Sequence, residues 1–155
     1  MCTITGLIRL FFSFHGRAGR PGFWLVSLTW FLLAEAFDYW WSERGLAVAA
    51  GHDRVMVNAA LVLGSLPALV SCVAISVKRL HDRNKSAWWL IPFGVAPPLL
   101  QIAASLNTLE AGPAVGLMVA SIALSLWALF ELGFAPGTTG PNRFGLDPQM
   151  EAGAA

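Results

Sequence analysis

Charge is scarce in this sequence. Asp, Glu, Lys and Arg make up 12% of 155 residues, against about 25% in an ordinary soluble domain. So few charges cannot cover a water-exposed surface, whereas lipid can solvate the 56% that is hydrophobic. The mean hydropathy is +0.62. Cysteine is nearly missing too: Cys2 at the N-terminus and Cys72 inside an apolar run make no disulfide framework. Cys2 is not expected to be a lipoprotein cysteine, which would follow a cleaved leader. Arg9, with no small-x-small site after it, argues against a signal peptide over residues 4–14. No internal repeat is evident. A net charge of +1 gives no reason to expect nucleic acid.

What is abundant is long apolar runs. Four are able to cross about 30 Å of hydrocarbon, which takes roughly 20 helical residues. They cover residues 23–41, 55–77, 87–106 and 113–135. The expected fold is therefore all-α, a polytopic membrane protein of four transmembrane helices in one domain over residues 1–148. Residues 149–155 are expected to be a disordered tail. Pro92, Pro97 and Pro98 predict a kink or break in the third run near 97–98, with a re-entrant segment as the alternative. Residues 4–14 (ITGLIRLFFSF) are too short to span and read as a helix lying along the interface.

Arginine and lysine set the orientation. Arg9, Arg17 and Arg20 precede the first span; Lys78, Arg79, Arg83 and Lys85 separate the second from the third; Arg143 follows the fourth. Eight of the ten basic residues thus fall on one side, which predicts both termini in the cytoplasm. Only Arg44 and Arg54 lie in the opposite first loop. Trp24, Trp40, Trp41, Trp88 and Trp89 fall at span ends, the headgroup level that indole prefers.

Three polar segments share the basic side: FHGRAGR at 14–20, KRLHDRNKSAWW at 78–89 and GTTGPNRFGLDP at 137–148. With Phe23-Trp24 they give GRxxRxxFW, RLHDxxxSxWW and GTxGxNRFGxDP. In these motifs, in their order and spacing, the chain closely resembles the bacterial inner-membrane family catalogued as domain of unknown function 805. It departs at Ala87 and Leu146, where members often have Gly and Pro. The resemblance implies a small multi-pass inner-membrane protein and supplies no catalytic residues.

The residues themselves offer a candidate surface: Arg17, Arg20, Arg79, His81, Asp82, Arg83, Ser86, Trp88, Trp89, Asn142, Arg143 and Asp147. Arginine forks match phosphate or carboxylate oxygens, and histidine changes charge near neutral pH. The same residues are also what positive-inside orientation and bonding between loops require. The expectation is one cytoplasmic cap, with Asp82 and Asp147 pairing among Arg17, Arg20, Arg79 and Arg143. His81-Asp82 spells a phosphohydrolase dipeptide, but His15 and His52 have no ligand-like spacing, so neither a metal nor a cofactor is expected. The tail lacks the lysine-hydroxyl ending of a P-loop.

Glu35 and Asp38 share a helix face in the first span, about 18 and 22 Å along it from Phe23. Glu131 is expected to bond to arginines of the basic side or to reach its interface. Three functions follow. The leading one is a non-enzymatic cap that binds anionic lipid headgroups or a partner protein. The second is a small transporter or ion pathway using Glu35 and Asp38, assembled as a homo-oligomer. The third is a lipid-phosphate enzyme with His81 as base.

Overall fold

The computed structural model describes residues 4–50, 54–106, 110–148 and 150, with side chains throughout except at 43–50, 54 and 55. His52, residues 107–109, the side chains of Arg44 and Arg54, and the tail apart from Met150 lie outside the described residues. The elements are helices: α1 (Ile4–Phe12), α2 (Arg20–Ala50), α3 (Arg54–Asp82), α4 (Ala96–Ala104) and α5 (Ala111–Leu129). A 3-10 turn (Ala87–Trp89) and a π turn (Ile91–Val95) lead into α4, and a second π turn (Phe130–Phe134) prolongs α5. Among the described residues there is no strand, only a bridge between Asn142 and Gly145.

Three helical stretches are long and apolar enough to cross a membrane: Met56–Asp82, Ala87–Ala104 and Ala111–Phe134. The 31 residues of α2 reach about 46 Å at 1.5 Å each. Its length is ample, but Glu35 and Asp38 dilute its apolar character.

The prolines act differently from expectation. Pro97 and Pro98 do not break the third run; they occupy the first turn of α4, where a missing N–H leaves nothing unsatisfied. The irregularity lies one turn earlier, where the Ala96 N–H reaches back to the Ile91 carbonyl in a widened turn. Ser121 of α5 donates to the Pro97 carbonyl at 3.0 Å, tying the two helices where both are buried.

α3 continues to Asp82, five residues beyond the expected 77, because its last turn is buried against partners. It ends in a Schellman motif: Lys85 N–H bonds the Leu80 carbonyl at 2.8 Å and Asn84 N–H the His81 carbonyl at 2.9 Å. Asn84 takes the left-handed conformation this requires, with φ +56°.

The apolar core sits at this same end of the bundle. Phe23 and Val26 of α2 meet Ile75 and Leu80 of α3, with Phe93, Ala128 and Leu132 from the later elements. Leu10 and Phe11 of α1 pack on that core, and Phe11 meets Trp30 edge-on at 6.5 Å. The rest of α1, including Ile4 and Ile8, is exposed, which suits a helix lying in an interface. Toward the other end, residues 31–40 of α2 are exposed throughout. Leu32, Phe37, Leu63, Val119 and Ile122 turn outward, as lipid-facing side chains do.

Candidate functional site

The last turn of α3 is the hub of the polar end. Its helical spacing sends Lys78, Arg79 and Asp82 inward to three different elements. Lys78 donates to the carbonyls of Arg9, at 2.9 Å, and Leu10. These belong to the C-terminal turn of α1, where a cation is favoured; the Arg9 carbonyl also accepts from the Ser13 N–H at 3.1 Å.

Arg79 does the same for the fourth apolar helix. It is wholly buried, with Nε on the Leu132 carbonyl at 2.8 Å, Nη2 on the Ala135 carbonyl and Nη1 on the Asp82 carboxylate. Trp24 Nε1 caps the Gly133 carbonyl at 3.1 Å, and Arg83 Nη1 the Pro136 carbonyl at 3.2 Å. Four carbonyls at one helix end are thus held by side chains of α2, α3 and the turn that follows α3. A Cβ on Gly133 would stand 2.8 Å from the Trp24 ring, so glycine is what lets the indole reach.

Asp82 joins this to the N-terminal segment. Its Oδ1 accepts from Arg17 Nε at 3.1 Å, while Oδ2 accepts from Arg79. Arg17 extends further, to the carbonyls of Thr138 and, at 2.6 Å, Gly140. The glycine-rich tail folds over the hub in return. Thr138 N–H and Oγ1 both bond the Asp82 carbonyl, at 2.9 and 3.0 Å. Asn142 Nδ2 donates to the His81 carbonyl at 3.0 Å. The His81 ring stacks flat on Phe144, with centroids 3.9 Å apart, and its Nδ1 meets the Gly16 carbonyl at 3.2 Å. Gly140 and Gly145 supply the positive φ of the tail's turns, +74° and +138°.

The remaining candidates are more scattered. Asp147 Oδ2 accepts from Gly140 N–H at 3.0 Å. Arg143 donates to the Asn84 carbonyl at 3.0 Å and lies over the Phe144 ring. Glu131, expected to meet arginines, is buried between Arg83, at 3.3 Å, and Lys85. Burial lowers the pKa of Arg83, opposed by Asp82; burial and then Arg83 lower that of Lys85. Ser86 offers its carbonyl to Trp89 N–H at 3.2 Å. Trp89 packs on Phe93 and Trp127, with Lys85 over its ring. Its neighbour Trp88 is 77% exposed. Glu35 and Asp38 are exposed on α2, far along the helix from the hub.

Two consequences follow for chemistry. Arg17 and Arg79, the natural phosphate clamp, have their donors occupied within the fold, and His81 is held by a ring and a carbonyl rather than by its neighbour's carboxylate. By contrast, Arg20 is exposed and makes no hydrogen bond or ion pair among the described residues. It lines a groove of about 700 Å³ between residues 17–22 and Leu10 on one side and 136–139, Asp147 and Pro148 on the other.

Sequence reasoning missed Lys78 as the anchor of α1, since spacing gives no sign that α1 docks beneath α3. It also missed Trp24 and Arg83 as helix caps. Only the Pro136-Gly137 pair, which marks the end of the fourth helix, hinted that its carbonyls need partners.

No solved structure matches the chain. It is 34% identical over 142 residues to "Uncharacterized protein YiiR" of Escherichia coli strain K12, covering 89% of this chain and 87% of that one. It is 24% identical over 145 residues to "Inner membrane protein YhaH" of the same strain, covering 94% of each. The family model described as "Protein of unknown function (DUF805)" matches residues 11–146. On that match, which takes in the first two polar segments and the third as far as Leu146, the chain belongs to the DUF805 family.

Proposed function

We propose that this is a multi-pass protein of the bacterial inner membrane whose basic cytoplasmic end binds phospholipid headgroups without catalysing a reaction. In this reading residues 1–148 form one domain, α2 supplies a fourth span, and both termini are cytoplasmic. The distribution of arginine and lysine supports the orientation, and the naming of YhaH as an inner membrane protein supports the location. Cysteines placed at Ser13 and Thr139 in a cysteine-free background label from the cytoplasmic side, and one at Ser42 from the periplasmic side. Labelling of Ser13→Cys and Thr139→Cys from opposite sides would refute four spans.

The observation that carries the headgroup reading is the contrast between occupied and free arginines. Arg17 and Arg79 hold the fold together. Arg20 faces the groove, beside a helix whose own Arg9 is exposed. A cation in a groove at the membrane surface is suited to a lipid phosphate. Native mass spectrometry of protein released from its own membrane tests this. Wild type retains phospholipid that Arg20→Gln loses; equal retention by both overturns the reading.

One observation favours a transport reading in second place. Glu35 and Asp38 stand exposed on α2, with no hydrogen bond or ion pair among the described residues. A pathway through them would have to run between copies of the chain. It requires that Glu35→Gln alter proton-coupled flux in proteoliposomes.

A further inference from the structure

We infer that α1 is a lid on the groove beside Arg20, seated by Lys78, and that a bound phospholipid and the docked lid hold each other in place. This rests on the headgroup reading above and adds the element that regulates the site.

The groove has pinned walls and one that can move. From Gly16 onward the N-terminal segment is fastened to the end of α3. The Gly16 carbonyl meets His81, Arg17 donates to Asp82, and the Ala18 N–H bonds the Lys78 carbonyl at 3.2 Å. The tail is fastened there as well, through Thr138 on the Asp82 carbonyl. α1 is attached differently. Residues 13–15 join it to the pinned part, and the Lys78 ammonium seats it through the Arg9 and Leu10 carbonyls. Lys78 therefore positions both pieces of one wall, Ala18 by its carbonyl and Leu10 by its side chain.

Leu10 is where α1 reaches the groove. A Cβ placed on Gly22 would lie 3.3 Å from Leu10 Cδ1, so the leucine rests on the first turn of α2, two residues beyond Arg20. Helical residues so spaced have Cα atoms about 5 Å apart, a distance that the glycerol joining a phosphate to its acyl chains can bridge. A lipid with its phosphate on Arg20 thus brings its first methylenes to the apolar edge formed by Leu10 and Pro21. On the other face of α1, Ile4, Ile8 and Phe12 turn outward, which keeps an undocked α1 in the monolayer that supplies the lipid. Leu10 covers the lipid only while α1 is docked. Such coupling is reciprocal: whatever docking adds to lipid affinity, the lipid adds to docking.

The test uses delipidated full-length protein in mild detergent, titrated with phosphatidylglycerol. Native mass spectrometry reads binding. Trypsin cleavage after Arg9, identified by product mass, reads how often α1 opens. Saturating phosphatidylglycerol slows this cleavage about tenfold in wild type, the effect of part of a leucine side chain leaving water. Glycerophosphoglycerol, the same headgroup without acyl chains, does not slow it. Arg20→Gln weakens binding and, at the same lipid concentration, loses the protection. Lys78→Met binds phosphatidylglycerol more weakly, by no more than the factor of protection seen in wild type. Arg20-dependent binding that leaves the cleavage rate unchanged overturns the lid and leaves the headgroup reading in place. So does equal protection by glycerophosphoglycerol, or protection that persists in Arg20→Gln although binding weakens. Phospholipid binding indifferent to Arg20→Gln overturns both. The comparison of the two ligands uses wild-type protein, so it does not depend on the folding of any variant.

Discussion

Replacing Arg79 with methionine keeps an unbranched stem of similar reach and removes every donor. In the folded protein this guanidinium is 0% exposed and bonds the Asp82 carboxylate and the carbonyls of Leu132 and Ala135. Asp82 would keep Arg17 but lose its more buried partner. Removing one member of a buried ion pair costs about 3–5 kcal/mol, and each buried carbonyl left bare about 1–3 kcal/mol more. Relaxation and entering water recover part of this, so the expected loss is about 5 kcal/mol. For a chain of this length that lowers the midpoint of thermal unfolding by about 10–20 °C. Tryptophan fluorescence in mild detergent reads it directly, because the Trp24 indole caps the same helix end. Arg20→Gln is the control: an exposed side chain outside the network shifts stability by no more than about 0.5 kcal/mol. A midpoint for Arg79→Met within about 2 °C of wild type would show that the guanidinium is not what holds the helix ends. The double variant with Asp82→Asn should fall short of the sum of the singles, since the two side chains share one interaction.

A Cβ on Gly137 would lie 2.7 Å from the Asp82 Cγ, so Gly137→Ala should destabilise by about 1–3 kcal/mol, read from the same melting curve. Lys78→Met removes the side-chain donor held by the Arg9 and Leu10 carbonyls at the end of α1; trypsin cleavage after Arg9 should speed up while the rest of the chain keeps its resistance. Asn84→Gly should be nearly neutral and Asn84→Ala should cost about 1 kcal/mol, because the position has φ +56°. Equal melting of those two variants would argue against the left-handed cap.

Hydropathy made the elements legible because a membrane span is a composition before it is a contact. The long apolar runs reappear as helices, and the short amphipathic start reappears as α1. What composition could not show was direction. The excess of Lys and Arg says on which side a residue lies, but not whether it turns outward to lipid or inward to another helix. Lys78 and Arg79 turn inward, and the reason lies in the uncapped ends of helices distant in sequence. The proline effect was misplaced for a related reason. Proline's cost depends on which carbonyl it frees, and a widened turn just ahead of α4 lets Pro97 and Pro98 serve as a helix start. The pairing of Asp82 with arginine could be anticipated from charge. Its choice of Arg17 and Arg79, with Arg20 left facing the groove, required the geometry.

The ties at the hub are long in sequence. Arg79 reaches 53 residues ahead to Leu132, and Arg17 reaches 123 residues ahead to Gly140. A chain emerging from the ribosome has made both arginines long before it makes the carbonyls they hold. Until the last stretch is present, Arg79 has only Asp82, three residues along its own helix, among the partners it holds in the finished fold. A product cut short before residue 132 has no latch to shut. The same few side chains thus make the closing of one end of the bundle depend on both the start and the finish of the sequence.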